Sequence, residues 1–197
     1  MSKSRSQLNK SIKFSLSIAV ITFVLAAVFS VISSSLLSGV SWTIGFIILL
    51  VIVLIGVFFD SIGIASTAAN ETPFHAMAAE KVFGAKQAVR IIRNADRFSS
   101  FCNDVIGDIS GIISGTASAI IIIQFANVLG HSEGSVGQIA LNVILTSIVA
   151  AITVGGKALG KFLGIHYSTS IIIFVGKVIA FYESKFNLKA IKKKRQD

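Results

Sequence analysis

The distribution of positive charge constrains this chain more than any other feature of its sequence. Two long tracts, Phe14–Glu80 and Phe98–Gly156, contain no lysine or arginine, although the whole chain has 18 of these residues. A hydrocarbon core of roughly 30 Å takes about 20 mostly apolar residues per crossing, so each tract can hold two helices joined by a tight turn. The pattern therefore predicts an all-α, polytopic membrane protein with four transmembrane helices.

Composition supports the same fold class. With 53% hydrophobic and 14% charged residues among 197, the chain has too little polar surface for an ordinary soluble domain. Its net charge of +9 comes from residues that flank the apolar tracts, which favours a lipid bilayer with anionic headgroups as partner and argues against nucleic acid. The sole cysteine, Cys102, excludes an internal disulfide and a multi-cysteine metal site.

Turn and charge signals divide the chain further, and we expect one transmembrane domain over residues 1–187 and a basic cytoplasmic tail over 188–197. The spacing predicts a cytoplasmic amphipathic belt, a helix capped by Thr72 and begun by Pro73, and a break at Phe83 and Gly84. A later apolar run contains Lys177 and is expected to form a juxtamembrane helix. The expected segments are spans at about 12–37, 42–67, 102–128 and 136–154, the belt at 70–100 and the juxtamembrane helix at 165–182.

The positive-inside rule gives the expected orientation. Basic residues precede the first span and follow the second and fourth, so both termini are expected in the cytoplasm. The expected location is the plasma or inner membrane of the cell. The first apolar run has no clear A-x-A cleavage pattern and is expected to remain as an anchor.

Three carboxylates fall within the predicted spans: Asp60, Asp104 and Asp108. A charge in hydrocarbon is costly and needs a partner or a watery cavity. Asp60 and Asp108 are both expected on the order of 10 Å inside the cytoplasmic boundary, where they could meet at one depth. Asp104 is expected instead to cap the start of the third span.

Small and polar residues accompany these carboxylates. Gly107, Gly111 and Gly115 form two overlapping small-xxx-small motifs, which predict close helix approach, and a polar stripe on the fourth span includes Asn142 and Thr146. A seam of carboxylate, hydroxyl and amide oxygens without cysteine or an intraspan histidine suits a hard cation: Mg²⁺, Na⁺ or H⁺.

Several short segments follow a recognisable order. Phe58–Ala65 is similar to the motif F-F-S-x-S-E-x-A of a known transporter family. Asn94–Phe98 is similar to the N-P-E-R-L motif of the same family, and Gly107 with Asp108 is similar to its Gly-Asn pair. Gly155–Lys157 stands near a Gly-Glu and Pro-Lys turn that precedes a juxtamembrane helix. In this layout, from about Trp42 to Asn187, the chain resembles the transmembrane domain of the cyclin M (CNNM) and CorB/CorC family of magnesium transporters.

The resemblance implies a homodimer that transports Mg²⁺. It also implies Ser61 as an ion ligand, together with Asp108 in place of an asparagine. With Asp60, these residues make the predicted metal site. The chain departs from the family pattern at Gly63 and Gly156, each of which stands where a glutamate is usual, and at the turn, where the proline is missing. We also expect no cytosolic CBS pair.

Two other functions stay open. A non-transporting membrane scaffold would account for the missing glutamates as a lost ion site. An intramembrane aspartyl protease would use Asp60 and Asp108 as a proton-sharing dyad, but Phe59 and Val105 do not fit the Tyr-Asp and G-x-G-D motifs of that class. We therefore expect a divalent-cation protein with no catalytic residues and no enzymatic activity.

Overall fold

The computed structural model describes residues 2–130 and 134–193, with side chains described over 12–130 and 134–185. All regular secondary structure in this part is helical. His131–Glu133 of the predicted outer loop and the end of the basic tail lie outside the described residues. The helices are α1 Ser2–Ser38, α2 Trp42–Ala68, α3 Thr72–Ala79, α4 Ala85–Arg93, α5 Ala95–Ser100, a π-helix over Phe101–Gly107, α6 Asp108–Val128, α7 Val136–His166 and α8 Ser168–Lys193.

In the described part of the chain, four helical stretches are long and apolar enough to cross a membrane, which confirms the all-α polytopic fold. They are Ile12–Ser38, Trp42–Ala68, Ala95–Val128 and Val136–His166. The predicted helix start at Cys102 is wrong, because α5, the π-helix and α6 follow one another without interruption. The fourth helix also continues past Val154, since Lys157 and Lys161 are good helix formers and do not end it.

The described chain folds as two compact units. The first contains the residues up to Phe59 together with Phe101–Ala158. Its apolar core combines residues from α1, α2, α6 and α7, and Gln124 Nε2 donates a 3.0 Å hydrogen bond to the Leu37 carbonyl oxygen. This cluster contains Leu37, Leu49, Val53, Ala117, Ile121 and Val149.

In the first unit, α2 and α6 approach each other closely at two glycines of α2. A Cβ atom built on Gly56 would lie 2.9 Å from Ser110 Cβ, and one on Gly45 would lie 3.0 Å from Ile121 Cγ1. A Cβ on Gly111 or Gly115 would meet no atom of the described residues within 4 Å. The predicted glycine packing face is therefore wrong for these two positions within the described chain, where the buried side of α6 carries Ser110, Ser114 and Ser118.

The second unit contains Asp60–Ser100 and the chain from Leu159 onward. Its core joins the end of α2 to α3, α4 and α8, with Phe74 and Ile172 buried at the centre. On α4, Ala85, Ala88 and Ile91 are buried while Lys86, Arg90 and Arg93 are exposed, as expected for an amphipathic helix.

Two glycines bring α4 and α8 into main-chain contact. Gly84 has a φ of +86°, and a Cβ there would lie 2.5 Å from the Lys177 amide nitrogen. A Cβ on Gly176 would lie 2.5 Å from the Gly84 carbonyl oxygen. The predicted break at Gly84 is thus confirmed. Helix α8, which contains most of the predicted juxtamembrane segment, packs on α4, which begins directly after Gly84.

The start of α3 differs slightly from the prediction. Thr72 is the first helical residue, and Glu71 occupies the position before it. The Asn70 side-chain oxygen accepts hydrogen bonds from the Thr72 amide at 3.0 Å and from the Thr72 hydroxyl at 3.1 Å. Asn70 therefore performs the role predicted for Thr72, because its short amide side chain folds back on the chain two residues later.

Candidate cation site

Asp60 is the most unusual polar residue of the apolar helix α2. It lies eight residues before the end of the helix at Ala68, or about 12 Å at 1.5 Å per residue. The residue is only 7% exposed, and its Oδ2 atom is buried without a hydrogen-bond partner among the described residues. A buried, unpaired carboxylate oxygen costs free energy, so this position calls for a cation or a proton.

The helix around Asp60 is held in place by close packing within the second unit. A Cβ atom on Gly164 of α7 would lie 2.7 Å from the Ser61 carbonyl oxygen and 3.3 Å from Ile64 Cγ2. Ser66 is buried, and its hydroxyl donates a 2.7 Å hydrogen bond to the Gly63 carbonyl oxygen. Main-chain contact of this kind leaves little room for the turn that carries Asp60 and Ser61 to shift.

Ser61, the second predicted ligand, is half-buried. Gly63, which stands where the resembled family has a glutamate, is buried on the same helix. A glycine contributes no side-chain oxygen, so any cation at this level of α2 would depend on Asp60 and Ser61.

Asp108, the third predicted ligand, has a different environment. It begins α6 in the first unit, and its side chain is 63% exposed. Its Oδ1 atom lies 3.7 Å from Nζ of Lys157 on α7, whose side chain is 27% exposed. Sequence reasoning assigned Lys157 to membrane topology alone, because 49 positions separate it from Asp108 and no local pattern joins them.

Asp60 belongs to the second unit and Asp108 to the first, so the predicted sharing of one cation by these carboxylates stays a prediction. Each residue can be judged on its own surroundings. Asp60 is buried and its Oδ2 atom has no hydrogen-bond partner in the described part of the chain, whereas Asp108 is exposed and lies beside a lysine. Of the predicted ligands, Asp60 has the surroundings that most require a positive charge.

Asp104 does not cap a helix. It lies inside the π-helix, with helical residues on both sides, and its side chain is exposed. The backbone amides of such a position are already bonded within the helix, which removes the donors that a cap would use. A π-helical turn inside a longer helix is frequent at functional sites, and this one directly precedes Asp108.

Outside the apolar helices, a charged network joins α3 to α4. Glu71 Oε1 lies 2.7 Å from Arg93 Nε and 2.7 Å from His75 Nε2. These hydrogen bonds, first from Arg93 and then from His75, lower the pKa of Glu71 below its ordinary value. The network ties the two belt helices together at the protein surface.

A second network joins α4 to α8. Glu183 accepts hydrogen bonds from Gln87 Nε2 at 2.8 Å and from Arg90 Nη1 at 3.0 Å. The Gln87 hydrogen bond is the main reason that the pKa of Glu183 is lowered, and Arg90 adds to it. Sequence reasoning missed both partners of Glu183, because 96 and 93 positions separate them.

Among residues 2–130 and 134–193, no group of three or more histidine, cysteine, aspartate and glutamate side chains is placed to hold a metal ion. The predicted set of Asp60, Ser61 and Asp108 contains only two such side chains, so this finding does not bear on it. Comparison with protein-family models, curated proteins and solved structures finds no match to this chain.

Proposed function

We propose that this membrane protein binds a hard cation at Asp60 and moves it across the bilayer. The observation that carries the proposal is the buried Oδ2 atom of Asp60, which has no hydrogen-bond partner among the described residues. A cation at this oxygen would offset the cost of holding a carboxylate in apolar surroundings.

Mg²⁺ is the cation we propose, in keeping with the resemblance to the cyclin M and CorB/CorC transporters. This ion usually keeps several of its waters and binds one or two protein carboxylates, so it does not require a dense acidic cluster. Asp60 would be the principal ligand, with the neighbouring Ser61 supplying a second oxygen, and Asp108 stays a predicted ligand.

The same proposal includes orientation and assembly. The positive-inside pattern supports cytoplasmic termini in a plasma or inner membrane, and a belt whose basic residues face anionic headgroups. The family resemblance supports a homodimer. Chemical labelling of cysteines introduced at Ser2 and Gly134 tests the orientation, since opposite sides of the membrane should label.

Mg²⁺ titration of the purified protein and Mg²⁺ flux in proteoliposomes test the function together. Asp60→Asn keeps the shape of the side chain and removes its charge, and we expect it to weaken Mg²⁺ binding at least about tenfold and to abolish flux. Asp104→Asn is the matched control, because Asp104 is exposed in the π-helix and should leave both measurements unchanged. Equal Mg²⁺ affinity in the wild type and Asp60→Asn would overturn the proposal.

A non-transporting scaffold is the second candidate. The observation that favours it is the ammonium group of Lys157, 3.7 Å from Asp108, because a lysine at that distance competes with a metal cation for the carboxylate. The scaffold predicts that wild-type proteoliposomes show no Mg²⁺ flux above that of protein-free liposomes.

A further inference from the structure

A groove of about 440 Å³ lies within the first unit, among α1, α2, the π-helix and the start of α6. Hydrocarbon side chains cover almost all of its wall, and the hydroxyl-bearing residues in its lining are Ser33 and Ser110. The apolar lining includes Leu25, Phe29, Ile52, Ile55, Val105 and Ile109. All three helical stretches that form the groove are long and apolar enough to cross a membrane.

The two hydroxyl groups of the groove have different surroundings. Ser110 Oγ donates a 2.8 Å hydrogen bond to the Ile106 carbonyl oxygen of its own helix. Ser33 is 8% exposed, and its Oγ atom is buried without a hydrogen-bond partner among the described residues. Serines in apolar helices ordinarily donate to a carbonyl of the preceding turn, as Ser17 does to Lys13 on the same helix α1. Ser33 therefore lacks a partner that an occupant of the groove would supply.

The depth of Ser33 indicates what kind of occupant can reach it. The apolar stretch of α1 has 27 residues, or about 40 Å, and exceeds a hydrocarbon core of roughly 30 Å by about 5 Å at each end. Ser33 lies five residues before Ser38, which puts it roughly 3 Å inside the hydrocarbon boundary. Ester groups of phospholipids occupy this edge of the bilayer. From Ser33 the groove continues to Leu25, about 12 Å deeper along α1.

We propose that this groove binds one acyl chain of a membrane phospholipid, and that Ser33 Oγ donates a hydrogen bond to the ester carbonyl oxygen of that chain. The hydrocarbon wall packs against the acyl chain, and the buried Ser33 hydroxyl donates to the ester carbonyl oxygen where that acyl chain begins. A pure hydrocarbon would leave Ser33 without a partner, and a polar ligand would find no second polar group in the wall. This site is independent of the proposed cation site at Asp60.

The hydrogen bond is tested with two phosphatidylcholines that differ only in the linkage of their chains, one a diester and the other a diether. Native mass spectrometry of the full chain in detergent measures the affinity for each lipid. We expect the wild type to prefer the diester about fivefold, the value of one modest hydrogen bond, and Ser33→Ala to lose this preference. Ser17→Ala is the control on the same helix and should keep the preference.

The location of the site is tested by filling the groove. Ile55 lines it and is partly exposed, so Ile55→Trp can be accommodated and should lower the affinity for both lipids at least fivefold. Leu54→Trp adds a side chain of the same size at the preceding residue of α2, which is exposed and does not line the groove, and should change neither affinity.

Circular dichroism and size-exclusion chromatography establish that each variant is folded. The proposal is overturned by equal affinity of the wild type for the two lipids, which decides the matter even if Ser33→Ala fails to fold. It is also overturned by a diester preference that survives in Ser33→Ala. Equal lipid binding by Ile55→Trp and Leu54→Trp would place the bound lipid elsewhere and would equally reject the site.

Discussion

The two compact units hold their helices together in different ways. In the second unit, Gly84 and Gly176 bring α4 and α8 into main-chain contact, and Glu183 accepts hydrogen bonds that tie the same two helices at the surface. Glu71 accepts a hydrogen bond from Arg93 that ties α4 to α3. In the first unit, Gly56 of α2 lies against the Ser110 side chain of α6, and an apolar groove of about 440 Å³ lies among α1, α2, the π-helix and α6. Main-chain contact between helices thus belongs to the second unit, and contact through side chains beside an apolar groove belongs to the first.

The two candidate ligands follow the same division. Asp60 lies in the closely packed second unit, buried and without a hydrogen-bond partner for Oδ2 in the described chain, whereas Asp108 lies in the first unit, exposed and beside Lys157. A closely packed turn has little room to move and relieve an unpaired carboxylate oxygen, so a cation or a proton is the partner that can satisfy it. An exposed carboxylate can be satisfied by a flexible lysine. Asp60 and Asp108 are therefore the same residue type in two different chemical environments.

The largest expected effect is on the main-chain contact of the second unit. Gly84→Ala places a Cβ 2.5 Å from the Lys177 amide nitrogen, at a φ of +86° that alanine rarely adopts. We expect it to lower the free energy of unfolding by about 3 kcal/mol, through overpacking and backbone strain. Thermal or denaturant unfolding of the purified protein measures the loss.

Gly115→Ala is the matched control in the first unit. A Cβ there meets no described atom within 4 Å, and alanine is the better helix former. Stability should stay within about 0.5 kcal/mol of the wild type or rise slightly. Equal losses for the two variants would remove the contrast between the units.

A second test concerns the cost of the buried carboxylate at Asp60. Without Mg²⁺, Asp60→Asn should raise the free energy of unfolding by about 1 to 2 kcal/mol, because it removes a charge that lacks a partner. Saturating Mg²⁺ should stabilise the wild type and leave the variant unchanged. A variant less stable than the wild type in the absence of metal would mean that the carboxylate is already satisfied.

The contact between Asp108 and Lys157 should have a smaller effect. A double-mutant cycle of Asp108→Asn and Lys157→Met is expected to give a coupling free energy below about 1 kcal/mol, as is usual for exposed ion pairs. The coupling should fall further when the salt concentration is raised. A larger, salt-insensitive coupling would show that Asp108 is desolvated and would make it resemble Asp60.

The smallest expected effect is a pH dependence confined to the second unit. Because Arg93 and His75 lower the pKa of Glu71 in the folded chain, their stabilisation is present above the ordinary carboxyl pKa of 4.5 and is lost as the pH falls through the folded pKa. The protection factors of the α3 amides against hydrogen exchange should therefore fall below about pH 4.5, and Glu71→Gln should weaken this dependence. Exchange in α6 should serve as the internal control.

Much of the helical architecture could be predicted because its signals are local. Apolar length and the positions of lysine and arginine predicted four spans, and Gly84 marked a break that the structure confirms. The start at Cys102 and the end near Val154 could not be predicted reliably. Polar residues there resemble helix ends, yet nothing in them breaks a helix, so the backbone continues.

The candidate site was less predictable. Helical periodicity identified Asp60 and Asp108 as suspects, but it treated them as equivalent and gave no reason to connect Lys157 with either. It also assigned Gly111 and Gly115 to a packing face, although a Cβ on either glycine would meet no neighbouring atom within 4 Å in the described chain. Partners many positions apart in the chain are brought together by helix packing, which periodicity does not describe. The π-helix before Asp108 also has more residues per turn than an α-helix, so a period of 3.6 residues does not apply there.

The sequence by itself determined that this chain is a helical membrane protein, because the cost of placing charge and unpaired backbone groups in hydrocarbon acts on every segment separately. Only the tertiary structure decided that Asp60 is buried with an unpaired oxygen, that Asp108 lies beside Lys157, and that Ser33 borders an apolar groove. Burial and pairing are properties of neighbours in space, and those neighbours come from distant parts of the chain.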